Sequence, residues 1–372
     1  NVNFTYSKDQ LTYRNTVAAL LAGEVTAESI RARWASAQGI DSNLTQQLSD
    51  MGLNAMLVPE FCGGLGLSEL DFILLAQECG RVAMPEPLVE NAMVATAMLS
   101  DIACSDLATA NQCQDVLEKI AAGDASVACG HWINPYINMA DTNQWLLLPH
   151  GEEVHLVSTE AVDLIDQRSS DPSRRIFKVN WQPSSRTKIA GGQQGADLWR
   201  SALNRGALGV AGQLIGLAES ILQRAVVFTT DREQFGRPVG ANQAVKHLLA
   251  DCAVSLEFAK PVISRAAYAV ATAPTRADWA VSHAKVAASQ AALLSVRHGM
   301  QVHGAMGYTW ECDLQIWMKR CWAIDKTWGD AGFHKNRIHE WLLNPNALMG
   351  AEHTFGKSMS PNNETTLEQG AA

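Results

Sequence analysis

Apolar positions recur at helical spacing through the first third of the chain, and the recurrence predicts short amphipathic helices over residues 26–38 and 43–51. Ser68-Glu69-Leu70-Asp71 opens another in the manner of a capping box, with Asp in place of the usual Glu or Gln. Phe72, Leu75 and Cys79 continue it on one face, and residues 88–99 and 106–122 predict two more helices. The texture changes near Gly123. Residues 126–132, 144–149, 154–158, 162–165 and 176–181 are short β-rich runs separated by Asn, Asp, Gly and Pro, which predicts a compact β-domain. The helical pattern returns at about Ala196 and holds over 198–230, 244–273 and 279–303, each far longer than the ~11-residue average helix. Gly209, Gly212 and Gly216 permit close helix approach, and Pro261 predicts a kink. The expected fold class is therefore mainly α with a central β-domain. It divides into an N-terminal helical domain over 1–123, a middle β-domain over 124–193 and a C-terminal four-helix bundle over 194–345. A polar tail over 346–372 is expected to be disordered.

Charge and cysteine usage narrow the function. The 372 residues carry 29 Lys and Arg against 38 Asp and Glu, a net charge of −9. That balance offers no basic footprint for nucleic acid and no basic face for an anionic membrane. No apolar run reaches the roughly 18 residues that a membrane span requires. The eight cysteines form no C-x-x-C pair and sit among apolar residues, so they read as buried thiols of a cytoplasmic protein. No H-x-x-x-H pair or acidic cluster suggests a metal site. Trp310, Trp317, Trp322, Trp328 and Trp341 form a late stripe that reads as core or subunit contact.

Three segments stand out. Residues 231–247 join two long helices through a turn bearing Gly236, Pro238 and Gly240. Residues 301–311 carry Gly304 and Gly307, which break a helix and let backbone approach a ligand. Residues 58–66 carry Gly63, Gly64 and Gly66, but without G-x-G-x-x-G or a βαβ setting they read as a loop before the Ser68 helix. Taken locally, Arg232 reads as a solvated turn residue paired with Asp231 or Glu233, and His247 and His303 as surface or packing histidines.

Together these segments resemble the acyl-CoA dehydrogenase family, over about residues 43–345 and in the order helical, β, helical. The resemblance implies an FAD enzyme that places an α,β double bond in an acyl-CoA thioester. A glutamate takes the α-proton while a hydride leaves Cβ for the flavin. It implies that Arg232 binds the FAD pyrophosphate, Phe235 packs on the adenosine half, Gln243 hydrogen-bonds it, and Gln301 with the backbone at Gly304 completes the clamp. In that family these groups serve the flavin of a neighbouring subunit. An electron-transfer flavoprotein is the implied electron acceptor.

The departures from the family pattern are sorted. Counting forward from Arg320, Trp328 and Gly329 take the places of the family's Tyr-Glu, and Ala331 and Phe333 those of its flavin-binding Thr and Gln. The alternative base position, on the first long helix, falls at Gly206, beside Arg205 and Ala207. Ala128-Cys129-Gly130-His131-Trp132-Ile133-Asn134-Pro135 replaces the stretch that touches the isoalloxazine. Groups serving a neighbour's FAD are kept, and groups serving this chain's own flavin and base are lost. This is the pattern of the base-lacking subunit in α2β2 members acting on steroid side-chain CoA thioesters. Two other readings stay open: a self-sufficient enzyme with Asp330 as a displaced base, Asp325 lying one turn earlier, or a non-catalytic scaffold.

Overall fold

The computed structural model describes residues 5–36, 39–272, 277–345 and 347, so the expected tail at 346–372, Ala347 apart, lies outside the described residues. Helix α1 (Lys8–Glu24) starts on a capping box in which Ser7 and Gln10 each accept the other's main-chain N–H. It carries no readable apolar stripe, since Val17 and Leu21 are its only buried residues. After α2 (Ala27–Ala35) and α3 (Ser42–Asp50), α4 (Glu69–Arg81) begins at Ser68, whose N–H donates to Asp71 Oδ2 at 2.9 Å. The Ser68 hydroxyl donates to the same oxygen at 2.8 Å. A π-helical stretch, Val89–Thr96, runs into α5 (Ala97–Ala103), and α6 (Ala110–Ala122) ends on Gly123 at φ +82°.

Seven strands follow: β1 (Val127–Cys129), β2 (Ile137–Asn138), β3 (Trp145–His150), β4 (Glu153–Ser158), β5 (Asp163–Gln167), β6 (Ile176–Asn180) and β7 (Lys188–Ala190). One sheet runs β1-β3-β4-β7, with β1 parallel to β3 and the other pairs antiparallel; the second runs β2-β6-β5, all antiparallel. Strands β2 and β7 are too short for alternation to reveal. A small core of Ala128, Ile137, Leu146, Leu148, Val157 and Phe177 lies between the sheets.

Helix α7 (Gly192–Asp231) is the axis of the molecule, packing on α4, α8 and α9. A short hairpin, β8 (Glu233–Gln234) and β9 (Arg237–Pro238), leads to α8 (Gln243–Thr272), α9 (Ala277–His303), α10 (Leu314–Asp325) and α11 (Ala331–Leu343). Pro261 lies within α8, which continues through it. The contact of α7 with α4 is backbone on backbone. A Cβ at Gly216 would stand 1.9 Å from the Gln77 carbonyl oxygen, and one at Gly80 would stand 2.0 Å from that of Gln213. An 18-residue window of α7 is apolar enough to cross a membrane, which run-counting in the sequence overlooks; 61% of that window is buried inside the fold. Six cysteines are buried, but Cys104 is exposed and Cys312 half-buried, because each falls in a loop beyond a helix end. The tryptophan stripe splits in the same way: Trp317 and Trp328 are buried, Trp310 and Trp322 are exposed, and Trp341 stacks on Trp279 at 4.6 Å.

Candidate functional site

Arg232 follows the last residue of α7. Its N–H donates to the Phe228 carbonyl at 2.9 Å, and its carbonyl accepts from Val239 N–H at 2.8 Å. Both main-chain groups are thereby fixed while the guanidinium points outward, and among the described residues no ion pair reaches it. The hairpin turns at Phe235 (φ +55°) and Gly236 (φ +75°), the two left-handed residues a tight two-residue turn demands. A glycine or asparagine is usual in that geometry. Here a phenylalanine takes it and is 101% exposed. Gln243 at the start of α8 and Gln301 in the last turn of α9 are exposed, and Gly304 (φ +58°) turns the chain out of α9. Of these residues only Arg232 lines a cleft of about 610 Å³, whose other walls include Arg224, Val227, Phe228, Asp231 and His303; Phe235, Gln243, Gln301 and Gly304 do not line it. His303 stacks on Phe228 at 4.2 Å and donates from Nδ1 to the Gly299 carbonyl, a packing role. His247 is exposed.

Of the two positions at which a base was sought, Gly206 packs on the residue that precedes the other, Gly329. Gly206 on α7 faces the indole of Trp328, and a Cβ at Gly206 would stand 2.1 Å from that ring. Trp328 is 1% exposed and its ring lies 5.4 Å from that of His131. Neighbouring polar groups fix the turn around it. Trp328 N–H donates to Asn134 Oδ1 at 2.8 Å, and His334 Nε2–H donates to the Trp328 carbonyl at 2.8 Å. Lys285, fully buried on α9, donates to the carbonyls of Asp325 (2.7 Å) and Gly329 (3.1 Å). With its Nε2 proton committed, His334 accepts from Ser282 Oγ at Nδ1, 3.1 Å away. Burial lowers Lys285 to about 8, with Asp325 opposing the shift, and burial lowers His334 to about 3.

The glycine at 329 is also structural. Its φ is +90°, and a Cβ there would stand 2.4 Å from Phe333 Cδ1. Asp330 is exposed and N-caps α11, accepting from Phe333 N–H at 2.9 Å, a bond that holds its carboxyl below the usual range. Asp325 is 1% exposed and paired with Lys326 at 3.1 Å. Beside Trp328, residues Ala128, Cys129 and Asn134, from the stretch expected to stand at the isoalloxazine, line a space of about 20 Å³, room for one water. On the other side of His131 lies a cleft of about 610 Å³, walled by Trp132 and Trp199.

Sequence reasoning located Gly206 and Gly329 but missed that the Trp328 indole packs on Gly206. It also missed Lys285, His334 and Asn134. A lysine inside a small-residue helix was the one legible signal, since an uncompensated buried ammonium is costly.

Residues 7–124 match the acyl-CoA dehydrogenase N-terminal domain, and residues 193–343 match the acyl-CoA dehydrogenase C-terminal domain. The chain is 30% identical over 308 residues to acyl-CoA dehydrogenase IpdE2 of Mycobacterium tuberculosis, covering 82% of this chain and 89% of that protein. In fold it is similar to the ChsE4-ChsE5 complex from Mycobacterium tuberculosis, with TM-score 0.81 and 20% identity over 92% of this chain and 99% of that one. It is also similar to the Tcur3481-Tcur3483 steroid ACAD, with TM-score 0.78 and 20% identity over 90% and 97%.

Proposed function

The chain belongs to the acyl-CoA dehydrogenase family of FAD-dependent oxidoreductases acting on the CH–CH bond of acyl-CoA thioesters, and from that premise we propose that it is the base-lacking subunit of a heteromeric enzyme. Its part is to clamp the FAD of a homologous catalytic chain, as one half of an α2β2 assembly. The observation that carries the reading is the filling of this chain's own site. The Trp328 indole packs against Gly206, and the space beside it on the β-domain side has room for one water, far too little for a flavin ring.

The outward-facing groups fit the cofactor where the inward-facing ones do not. FAD supplies the hydride acceptor of the reaction. Arg232 presents an unpaired guanidinium suited to a pyrophosphate. Phe235 presents a bare ring for the adenosine half, Gln243 and Gln301 present amides, and Gly304 presents backbone. Each charge-assisted bond from Arg232 contributes about 1.5–3 kcal/mol to holding the cofactor. Two fold relatives are pairs of unlike chains, and one is described as a steroid ACAD, which supports a bulky steroid-type acyl-CoA as the substrate class. Eight free cysteines support a reducing cytoplasmic setting, and electron-transfer flavoprotein is the acceptor we propose.

Flavin stoichiometry tests the reading. Visible absorbance after purification should give little flavin for this chain alone and about one FAD per pair when it is copurified with a catalytic partner. One FAD per chain from this protein by itself would overturn the proposal and return attention to Asp330.

A further inference from the structure

We infer that a cavity of about 560 Å³, between the first half of α7 and the ends of α5 and α8, is a binding site for a linear aliphatic polyammonium ion, a cation of the spermidine type. The inference stands whether or not the chain pairs with an unlike subunit.

The cavity is separate from the clamp and from the Trp328 pocket. On α7 it is lined by Asp197, Ser201 and Arg205, which are spaced four apart and so stack on one side of the helix. Of the residues lining the cleft by Trp132 and Trp199, only Arg200 also reaches this cavity, and none that lines the small space beside Trp328 does. Three carboxylates, those of Glu69, Asp101 and Asp197, face two guanidiniums, those of Arg200 and Arg205. Both guanidiniums are committed. Arg205 donates from Nε to Glu69 Oε1 at 2.7 Å and from Nη1 and Nη2 to the two oxygens of Asp101, and Arg200 donates to Asp278 at 2.9 Å. The carboxylates are not used up. Glu69, only 6% exposed, keeps Oε2 unbonded among the described residues. Asp197 accepts at Oδ1 from Gln193 and keeps Oδ2 unbonded, and the Ser201 hydroxyl bonds nothing among the described residues. A buried carboxylate with a free oxygen is costly, and a cation in the cavity offsets that cost.

Spacing defines the shape of that cation. Arg205, with Glu69 at its side, stands eight residues beyond Asp197, about 12 Å along the helix, and Ser201 stands midway. Ile102, Leu107, Leu198 and Val270 give the cavity an aliphatic wall. A compact metal ion does not match this row, because among the described residues no three His, Cys, Asp or Glu side chains gather as metal ligands do. A flexible chain with an ammonium at each end, one between them and methylenes joining all three does match. Its ends meet Glu69 and Asp197, its middle nitrogen meets the Ser201 hydroxyl, and its methylenes lie on the aliphatic wall.

Calorimetric titration of the full-length chain with spermidine at low ionic strength is the test, with ethylammonium as the short monovalent control. We expect one saturable site for spermidine and no saturable heat from ethylammonium over the same concentrations. Asp197→Asn should weaken spermidine binding at least about ten-fold, because it removes a charge-assisted bond at one end. Ser201→Lys, which tethers an ammonium between the two acidic ends, should abolish binding. Asp197 makes one exposed bond, to Gln193, so Asp197→Asn keeps the fold and decides the matter if Ser201→Lys does not fold. The inference is overturned if the wild type shows no saturable binding, or if ethylammonium binds as tightly as spermidine. It is equally overturned if spermidine binds at several equivalent weak sites that Asp197→Asn leaves unchanged, the mark of general adhesion to a chain of net charge −9. Undiminished binding by folded Ser201→Lys would place the ligand elsewhere and overturn it too.

Discussion

Replacing Lys285 by Met should change how stability depends on pH above neutrality. In the folded chain burial lowers the lysine from its ordinary 10.5 to about 8. Between those two values the unfolded chain holds a proton that the folded chain has released, so stability rises with pH across that window. The contribution is complete above 10.5 and lost as pH falls through about 8. At ~1.4 kcal/mol per tenfold, the difference amounts to about 3 kcal/mol. Four buried thiols act in the opposite sense. Burial pushes Cys79 and Cys113 up to about 12, and Cys129 and Cys321 higher, so each of them removes stability above its ordinary value of 9. Cys79, Cys113 and Cys129 are common to both proteins and cancel in the difference between the two curves; Lys285 opposes the rise of Cys321, so that thiol moves up in Lys285→Met. Urea unfolding from pH 7.5 to 10.5 should show the wild type gaining about 3 kcal/mol on Lys285→Met. Curves that stay parallel within about 0.5 kcal/mol would refute the buried ammonium on which the reasoning rests.

Other expected outcomes follow from single contacts. His334 is neutral and buried, lowered to about 3 from 6.5, so it contributes stability that is full above 6.5 and is lost progressively as pH falls toward 3, at most ~5 kcal/mol; His334→Gln should flatten denaturant midpoints over pH 4–7. Gly216→Ala forces a Cβ against the Gln77 carbonyl, so α4 and α7 must separate, costing at least about 1–3 kcal/mol in thermal or chemical unfolding. Arg33 and Glu86 form a buried pair at 2.5 Å, each 6% exposed, and Arg33→Met should cost about 3–5 kcal/mol by stranding the carboxylate. Arg232→Ala removes no ion pair or side-chain hydrogen bond among the described residues, so its stability should stay within about 0.5 kcal/mol of wild type, while flavin retained by the paired enzyme falls; unchanged flavin content would remove Arg232 from the clamp.

How much was legible depended on the range of the physics involved. Local periodicity found the long helices because an element that buries one face repeats every few residues, and Ser68 with Asp71 marked the start of α4 because capping is a four-residue affair. The same logic failed at α1, where two buried residues in seventeen leave no stripe, and at β2 and β7, which are too short to alternate. The clamp residues were legible as a motif, since Arg232, Phe235 and Gln243 lie within one turn-containing segment. That Phe235 is wholly exposed while Trp328 is wholly buried could not be read from either neighbourhood. Both are aromatic residues at positive φ followed by a glycine.

The sequence by itself determined the order of helical, β and helical parts, the family resemblance, the segment proposed as a clamp and the absence of an acid at positions 206 and 329. Those properties are written in neighbouring residues, where spacing and side-chain type act directly. Only the tertiary structure decided what stands in the acid's place. Gly206 on α7 and Trp328 beyond α10 are distant along the chain and meet only because α7 and the α10–α11 turn converge beside the β-domain. The loss of two side chains reads in the sequence as a vacancy; in the fold the same space holds an indole, latched by a lysine, a histidine and an asparagine from three other parts of the chain. Packing is a relation among surfaces brought together by the whole chain, and no local stretch of sequence contains it.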